Sequence, residues 1–370
     1  MKKESRRDSD KITNFQVFIL VSATIIGVSI ISLPRTIAKE APQGGLLAIL
    51  GGGGISMLAA FVIAKLSKRF PRRTFVEYSC EIIGNILGRG LNLIYASYFA
   101  LMAALLNRFF ADAIKAFLLE RTPVEVISIT MFLVVVYLAQ HGINPIVRID
   151  EAFMPLFTVI FLFAILLSTQ RFQIARLYPA FQPEITPIIK VLPQILIAFA
   201  GFEVLLFVGA FMEKPQDIVK YGVLGLVPPT LIYFFLIATA VGNLGVNALN
   251  YTLYPTLTLT KSVEFPGGFG ERFDLFFFAF WVLAAFTTIA AYYYLAALTL
   301  TRTLNLRNYK PFVFLLLPIT YLLSILPQNL VEVEEGIASL GKLAVGLTMV
   351  VPLILLLVAV VRKKGEKSSA

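Results

Sequence analysis

The chain has 370 residues, 58% of them hydrophobic and 15% charged, with a mean hydropathy of +0.82. These values exclude an ordinary soluble protein, and apolar runs near 20 residues are typical of a polytopic α-helical membrane protein. The net charge of +10 falls mainly at helix ends and in loops, so it indicates membrane topology and anionic lipid, not nucleic acid. A single cysteine and a single histidine exclude an internal disulfide and a Cys/His metal cluster.

The apolar runs predict ten membrane spans, numbered 1 to 10 in chain order. They are predicted at residues 15–33, 46–64, 91–109, 124–139, 152–167, 191–212, 223–241, 275–300, 312–326 and 343–361. All ten lie in one predicted transmembrane domain, residues 13–361, between an N-terminal tail, 1–12, and a basic C-terminal tail, 362–370. About two thirds of the Lys and Arg residues fall on the side that carries both tails, which predicts an integral membrane protein with both termini cytoplasmic.

Three connections are predicted to be more than simple turns, and one of them is the external link at residues 171–189, with Pro179, Pro183 and Pro187. Residues 71–88 mix charged with apolar side chains, a pattern that predicts a short helix at the inner membrane interface. Residues 242–271 form the longest outer connection and are rich in Asn, Thr and Pro. Long structureless loops are uncommon unless they are functional, so we expect this segment to cover an outward vestibule as a lid. A solvated tether is the alternative.

The spans divide into two predicted repeats, residues 13–168 and 187–361, and the first span of each repeat is interrupted. Span 1 carries Gly27 and Ser29 in mid-helix, and span 6 carries Gly201 and Glu203. Interrupted helices at corresponding positions of two halves predict a transporter-type binding site built on inverted repeats. An acid near the bilayer centre costs at least ~2.5–3.5 kcal/mol, which also favours a functional role. For the glycines, simple helix packing remains the alternative.

The two breaks together suit a zwitterion. Backbone N–H groups released in span 1, beside the positive end of a half-helix, would bind a carboxylate. Carbonyl groups released in span 6 would accept hydrogen bonds from an ammonium group. The predicted binding residues in span 1 are Gly27, Val28, Ser29 and Ile30. The predicted binding residues in span 6 are Phe199, Ala200, Gly201, Phe202 and Glu203.

Three side chains have open roles in this site. Tyr98, at mid-depth in span 3, is predicted to donate its hydroxyl to the ligand. Phe202 is predicted to close the pocket from outside, with ordinary core packing as the alternative. Glu203 is either a proton-coupling group or a permanently neutral hydrogen-bond donor.

Several short motifs, in the same order and at similar spacing, resemble the spore germination receptor B subunits. They include Lys11 to Gln16, Gly27 with Pro34, Arg69 to Pro71, Gly142 to Pro155, and Glu271 with Trp281. That family lies in the amino acid–polyamine–organocation superfamily. The resemblance implies a LeuT-type fold of ten transmembrane helices, a five-plus-five inverted repeat with broken helices one and six. It also implies a nutrient-binding receptor subunit in the cell membrane or spore inner membrane, working with A-type and C-type partner subunits.

Thr287 and Thr288, near the centre of span 8, resemble the position where sodium-coupled LeuT-type proteins place two hydroxyl ligands. The sequence assigns no carboxylate to that position, and threonine pairs in membrane helices often bond to their own backbone. We expect no resident cofactor, while coupling to a sodium ion or a proton stays open.

Three functions remain open from the sequence. They are a germinant receptor subunit that binds an amino acid, an ion- or proton-coupled amino acid transporter, and a scaffold or ion-conducting subunit with a vestigial pocket. No nucleophile–base pair, phosphate-binding glycine loop or catalytic carboxylate pair stands out, so the chain is not predicted to be an enzyme.

Overall fold

The computed structural model describes residues 11–27, 29–42, 44–168, 172–181, 185–261 and 273–365, without the side chains of 178–181 and 273. Within these ranges the regular elements are helices, with one isolated bridge between Ile12 and Met212. Six helices are long and apolar enough to cross a membrane, a bent pair makes a seventh span, and three shorter apolar helices bring the described spans to ten. The predicted all-α membrane fold with ten spans is confirmed.

Spans 1 and 6 each consist of two helical pieces. Span 1 has 1a at Asn14–Ile26 and 1b at Leu33–Glu40, joined through a 3₁₀ turn at Ser29–Ile31. Span 6 has 6a at Ile185–Ala198 and 6b at Phe202–Val208, bent by 53°. The unbroken spans 2 to 5 are Gly45–Arg69, Asn85–Phe117, Val124–Ala139 and Ile143–Ser168. Spans 7 to 10 are Val227–Tyr251, Phe273–Thr303, Lys310–Ile325 and Leu330–Val361.

The breaks in spans 1 and 6 lie where the sequence predicts them. Span 1a begins with a capping box, in which Thr13 and Gln16 bond each other's backbone N–H groups, and it ends at Gly27. Span 6a ends at Ala198, and Gly201 has a φ of 130°, a backbone conformation that stops a right-handed helix. The prediction of broken helices one and six is therefore confirmed.

Several spans extend beyond their predicted ends, among them span 3, which runs to Phe117, and span 5, which begins at Ile143. Span 10 begins at Leu330, well before residue 343, although Glu332, Glu334 and Glu335 make this segment polar. The polar start is tolerated because Glu334 forms an ion pair with Arg35 of span 1b. Span 7 is helical to Tyr251 except at Gly245, whose φ of 78° kinks it, and the side-chain amide of Asn243 donates a 2.9 Å hydrogen bond to the Thr239 carbonyl of the same helix.

The described parts of the connections at residues 71–88 and 242–271 are helical. Phe75–Ile83 forms the predicted short helix, with Phe75, Tyr78 and Ile82 buried. In the outer connection, Pro255–Lys261 forms a helix, which we call the outer helix. The Thr256 hydroxyl donates a 2.6 Å hydrogen bond to the carbonyl of Ile30 in the span 1 break. This contact ties the outer helix to the break in span 1, and residues 262–272 of the same connection lie outside the described ranges.

Span 8 is the central packing element of the bundle. It packs along span 3 and also contacts spans 1, 4 and 5. Its buried side chains include Trp281 and Tyr292, and both threonines of the predicted pair are buried as well. The breaks of spans 1 and 6 therefore face an interior built around span 8.

Two glycines near the start of span 3 allow a matched test of its packing against the short helix Phe75–Ile83. A Cβ added at Gly88 would lie 2.6 Å from the Cα of Cys80 in the short helix, whereas one added at Gly90 meets nothing within 4 Å. We predict that Gly88→Ala lowers the stability of the fold by about 1–3 kcal/mol through overpacking. Gly90→Ala should be neutral or stabilising, because alanine favours helix. Thermal unfolding of both purified variants in detergent measures the difference, and equal melting temperatures would contradict this packing.

Candidate ligand-binding site

The two breaks touch each other directly. A Cβ added at Gly201 would lie 2.8 Å from the carbonyl carbon of Thr24 and 2.9 Å from the nitrogen of Ile25. No side chain fits there, because the contacted atoms are backbone of span 1a and cannot rotate away. Gly201 is thus required for packing, and the same close contact brings the released backbone groups of span 6 beside those of span 1.

Gly27 allows a second close contact, between span 1 and span 8. A Cβ at this position would lie 1.9 Å from the Thr288 hydroxyl oxygen and 3.0 Å from the carbonyl oxygen of Ala284. The φ of Gly27 is −38°, so close approach and not left-handed backbone explains the glycine. The predicted site residue Val28 lies outside the described residues.

Some backbone groups at the breaks have no partner. In the described part of the chain, no acceptor pairs with the N–H of Ile30, and no donor pairs with the carbonyl oxygens of Phe199 or Ala200. The carbonyl of Gly201 is occupied, because it accepts a 3.3 Å bond from the N–H of Val204. One break thus has an unpaired backbone donor and the other has unpaired backbone acceptors among the described residues.

Tyr233 of span 7 joins the two breaks. Its hydroxyl lies 2.8 Å from the carbonyl oxygen of Ile25 in span 1a and 3.2 Å from that of Ala198 in span 6a. It also lies within hydrogen-bonding reach of the Ser29 side chain. The ring of Phe199 packs edge-on against Tyr233, with 5.3 Å between ring centroids. A single buried side chain therefore satisfies carbonyls released by both helix ends.

Glu203 accepts three hydrogen bonds in the interior. Tyr98 of span 3 and Tyr292 of span 8 donate to one carboxyl oxygen at 2.6 and 2.8 Å, and the N–H of Gly201 donates to the other at 2.7 Å. None of the ion pairs within the described residues includes Glu203. The cluster therefore joins spans 3 and 8 to the break in span 6.

The remaining predicted residues have definite places. The Tyr98 hydroxyl donates its hydrogen bond to Glu203. Phe202, which precedes Glu203 in the chain, is buried. Thr287 bonds to its own helix, at 3.2 Å from the carbonyl oxygens of Leu283 and Ala284. Thr288 instead donates a 3.3 Å bond across to the carbonyl of Ala23 in span 1a. The own-backbone alternative thus holds for Thr287, while Thr288 connects spans 8 and 1.

Separate contacts close the two ends of the bundle near the breaks. At the end that carries Lys11, the backbone of Ile12 pairs with Phe211 and Glu213 after span 6, at 2.9 and 3.0 Å. Beside it, the Gln16 amide donates to Glu151 of span 5 at 2.8 Å. At the opposite end, the Arg35–Glu334 ion pair and the outer helix cover the break in span 1. The site region is therefore enclosed on both sides.

Three buried polar residues of this region are missing from the sequence-based site. They are Tyr233, Tyr292 and Asp150. Tyr233 and Tyr292 each interrupt an apolar span at mid-depth, which is a signal that the sequence carries, whereas Asp150 lies between Arg148 and Glu151 near the start of span 5. Tyr292 also follows the threonine pair by one helical turn, on the same face of span 8.

Removing the Tyr233 hydroxyl tests the connection between the breaks. Tyr233→Phe leaves the carbonyls of Ile25 and Ala198 unpaired, and we expect a loss of about 1–3 kcal/mol in stability. Tyr251→Phe, at a residue that is 90% exposed, is the matched control and should be neutral. The measurement is thermal unfolding in detergent. A Tyr233→Phe variant that melts with the wild type would show that these bonds do not hold the breaks together.

Comparison with solved structures shows the fold. The nucleobase-cation-symport-1 family transporter Mhp1, in a closed conformation with bromovinylhydantoin bound, has a TM-score of 0.67 at 15% identity. The match covers 94% of this chain and 77% of that one. MhsT in complex with L-phenylalanine has a TM-score of 0.66 at 14% identity, covering 93% of this chain and 88% of that one. At such identities the likeness shows the fold alone, which is LeuT-type.

Comparison of sequences shows the family. Residues 11–333 match the family described as “Spore germination protein”. Spore germination protein YndE of Bacillus subtilis (strain 168) is 31% identical over 360 residues, 97% of this chain and 99% of that protein. Spore germination protein A2 of the same strain is 29% identical, over 96% of this chain and 98% of that protein. The chain therefore belongs to the spore germination protein family, as an all-α integral membrane protein of LeuT-type fold.

Proposed function

We propose that the chain is the membrane subunit of a spore nutrient-germinant receptor and that it binds an amino acid between spans 1, 3, 6 and 8. The proposal rests on one observation. The breaks of spans 1 and 6 contact each other, and one has an unpaired hydrogen-bond donor while the other has unpaired acceptors. The Ile30 N–H suits a carboxylate, and the Phe199 and Ala200 carbonyls suit an ammonium group. An α-amino acid carries both charges within one small molecule.

The charge of Glu203 supports the ammonium half of this clamp. A cation close to a buried carboxylate is attracted strongly, because little water screens the pair. Glu203 also holds the N–H of Gly201, so the same group shapes the segment that carries the acceptor carbonyls. A bound ammonium group would thus neutralise the Glu203 carboxylate, which has no basic partner among the described residues.

The comparisons support the class of ligand and the role. Two neighbours in fold have small organic molecules bound, L-phenylalanine in one and bromovinylhydantoin in the other. The sequence relatives are named for spore germination. We infer that this chain senses a nutrient in the spore inner membrane, with both termini cytoplasmic and lipid around it. A-type and C-type receptor subunits would be its partners, and residues 13–168 and 187–361 its two repeats.

An ion- or proton-coupled amino acid transporter is the second candidate. The observation in its favour is the separate closure of the two ends, by the Ile12 segment and by the Arg35–Glu334 pair. Alternating access requires two such closures that open in turn around one fixed site.

The first prediction concerns the clamp. We expect at least one of the twenty common amino acids to raise the melting temperature of the purified chain, and its N-acetylated and carboxy-amidated forms not to bind. Glu203→Gln should raise the Kd for that amino acid at least ~10-fold, because it removes the charge beside the ammonium site. Glu120→Gln, at an exposed position, is the control. Calorimetry measures the affinities, and equal binding of the blocked forms would rule out the clamp.

The second prediction separates receptor from transporter. The purified chain is reconstituted alone into liposomes, and uptake of the radiolabelled amino acid that binds is followed under an imposed sodium or proton gradient. For a receptor subunit, we expect saturable binding without accumulation inside the vesicles. Accumulation that collapses when the gradient is dissipated would instead establish the transporter.

A further inference from the structure

Span 10 has one outward face whose character changes along the helix. In its second half, the exposed residues on this face are Val350, Leu353 and Leu357, which suit lipid tails. In its first half, the residues that continue the same face are Glu335, Ser339, Lys342 and Gly346, which we call the polar stripe. All these positions recur every three or four residues, so they lie on one side of the helix. The face is therefore polar towards Leu330 and apolar towards Val361.

Lys342 lies level with the break in span 6. Its neighbour Gly341 packs directly against Ile197, so closely that an added Cβ would overlap that side chain. Ile197 belongs to the last turn of span 6a, immediately before the break. Farther along span 10, the Leu347 carbonyl accepts a hydrogen bond from Tyr95 of span 3. Breaks of this kind lie near the bilayer midplane, so Lys342 is at mid-depth as well.

An exposed lysine at this depth needs a partner. Charged side chains at the bilayer centre are costly, and those that occur are paired or face a protein interior. Lys342 is exposed, and no ion pair or side-chain hydrogen bond among the described residues includes Lys342, Ser339 or Glu335. At mid-depth the edge of the hydrocarbon core is ~15 Å away, farther than a four-carbon stem reaches. The partner must therefore come from outside the chain.

We propose that the polar stripe binds a transmembrane helix of a different polypeptide, with an acidic residue that pairs with Lys342. Only a helix satisfies its own backbone groups at this depth in lipid. Ser339 and Gly346 allow close approach, since a Cβ added at Gly346 would meet nothing within 4 Å. Glu335 precedes Lys342 by two helical turns. The partner helix therefore carries its acid at mid-depth and a basic residue two turns nearer the Leu330 end.

A second copy of this chain is a poor match for the polar stripe. Two copies in one membrane have the same orientation, and a symmetric contact between them uses the same residues on both sides. Such a contact would place Lys342 opposite Lys342 and Glu335 opposite Glu335. Like charges that face each other across an interface repel. Charge complementarity therefore favours a different chain.

Span 10 also contacts both broken spans. Through Gly341 it packs on the end of span 6a, and through Glu334 it forms the ion pair with Arg35 of span 1b. A partner bound to the polar stripe would thus be one helix away from both breaks. This route from ligand to partner rests on the proposed function, whereas the docking surface itself does not.

The first test uses the purified full chain in liposomes and two synthetic probes. Each probe is a transmembrane helix of leucine and alanine with one central polar residue, glutamate in one and lysine in the other. We expect the glutamate probe to bind about 5–30-fold more tightly, the size of effect that polar contacts between membrane helices have. Lys342→Glu should reverse this preference, and Lys310→Glu, at an exposed lysine where span 9 begins, should not. Fluorescence energy transfer measures binding.

Equal binding of the two probes by the wild-type chain would overturn the proposal. An unchanged preference in the folded Lys342→Glu variant would overturn it as well. Neither measurement involves an amino acid, so failure of the zwitterion clamp and failure of the docking surface are separate results.

The second test identifies the occupant in the native membrane and keeps Lys342, so it holds even if Lys342→Glu does not fold. A photo-crosslinking residue replaces Ser339 or, as the matched control on the same face, Leu357, and mass spectrometry identifies the crosslinked peptides. We expect Ser339 to yield a membrane-spanning segment of another polypeptide that contains Asp or Glu, and Leu357 to yield lipid. Crosslinks from Ser339 to lipid alone, to a second copy of this chain or to a segment without an acid would overturn the proposal.

Discussion

Two helices that stop inside a hydrocarbon layer release backbone groups that water cannot satisfy, so the protein must supply their partners. Tyr233 does so for both breaks at once, through the carbonyls of Ile25 and Ala198. Gly201 allows the two backbones to touch, and its N–H is held by Glu203. The packing of spans 3, 7 and 8 around the breaks follows from this need. The few groups that stay unpaired are then available to a ligand.

The two buried acids differ in how they are compensated. Glu203 accepts hydrogen bonds from the hydroxyls of Tyr98 and Tyr292 and from the backbone N–H of Gly201, so both of its carboxyl oxygens have partners. Asp150 has one oxygen without a hydrogen-bond partner among the described residues. A buried acid without partners is costly in a bilayer, so the two carboxyl groups place different demands on their surroundings. Both acids lie at helix junctions, where small movements of span 1 would reach them.

The chain belongs to the spore germination protein family and has a LeuT-type fold. Neither fact identifies the ligand. The ends of the bundle are closed by different kinds of contact. One is a backbone pairing of Ile12 with the segment after span 6, and the other is the Arg35–Glu334 ion pair with the outer helix above the break. A receptor and a carrier can share such an enclosure, since they differ in whether both closures open in turn.

The sequence by itself determined the ten spans, the two breaks and the glycines at them, because hydropathy and helix interruption are local properties. It misplaced the end of span 3 and the starts of spans 5 and 10, because polar residues in such extensions find partners, as Arg108 does in Asp112 and Glu334 does in Arg35. It named Glu203 and Tyr98 without showing that they bond to each other, and it omitted Tyr233, Tyr292 and Asp150. Only the tertiary structure decides which polar groups in a membrane interior meet and which one stays unpaired, because helix packing sets those distances.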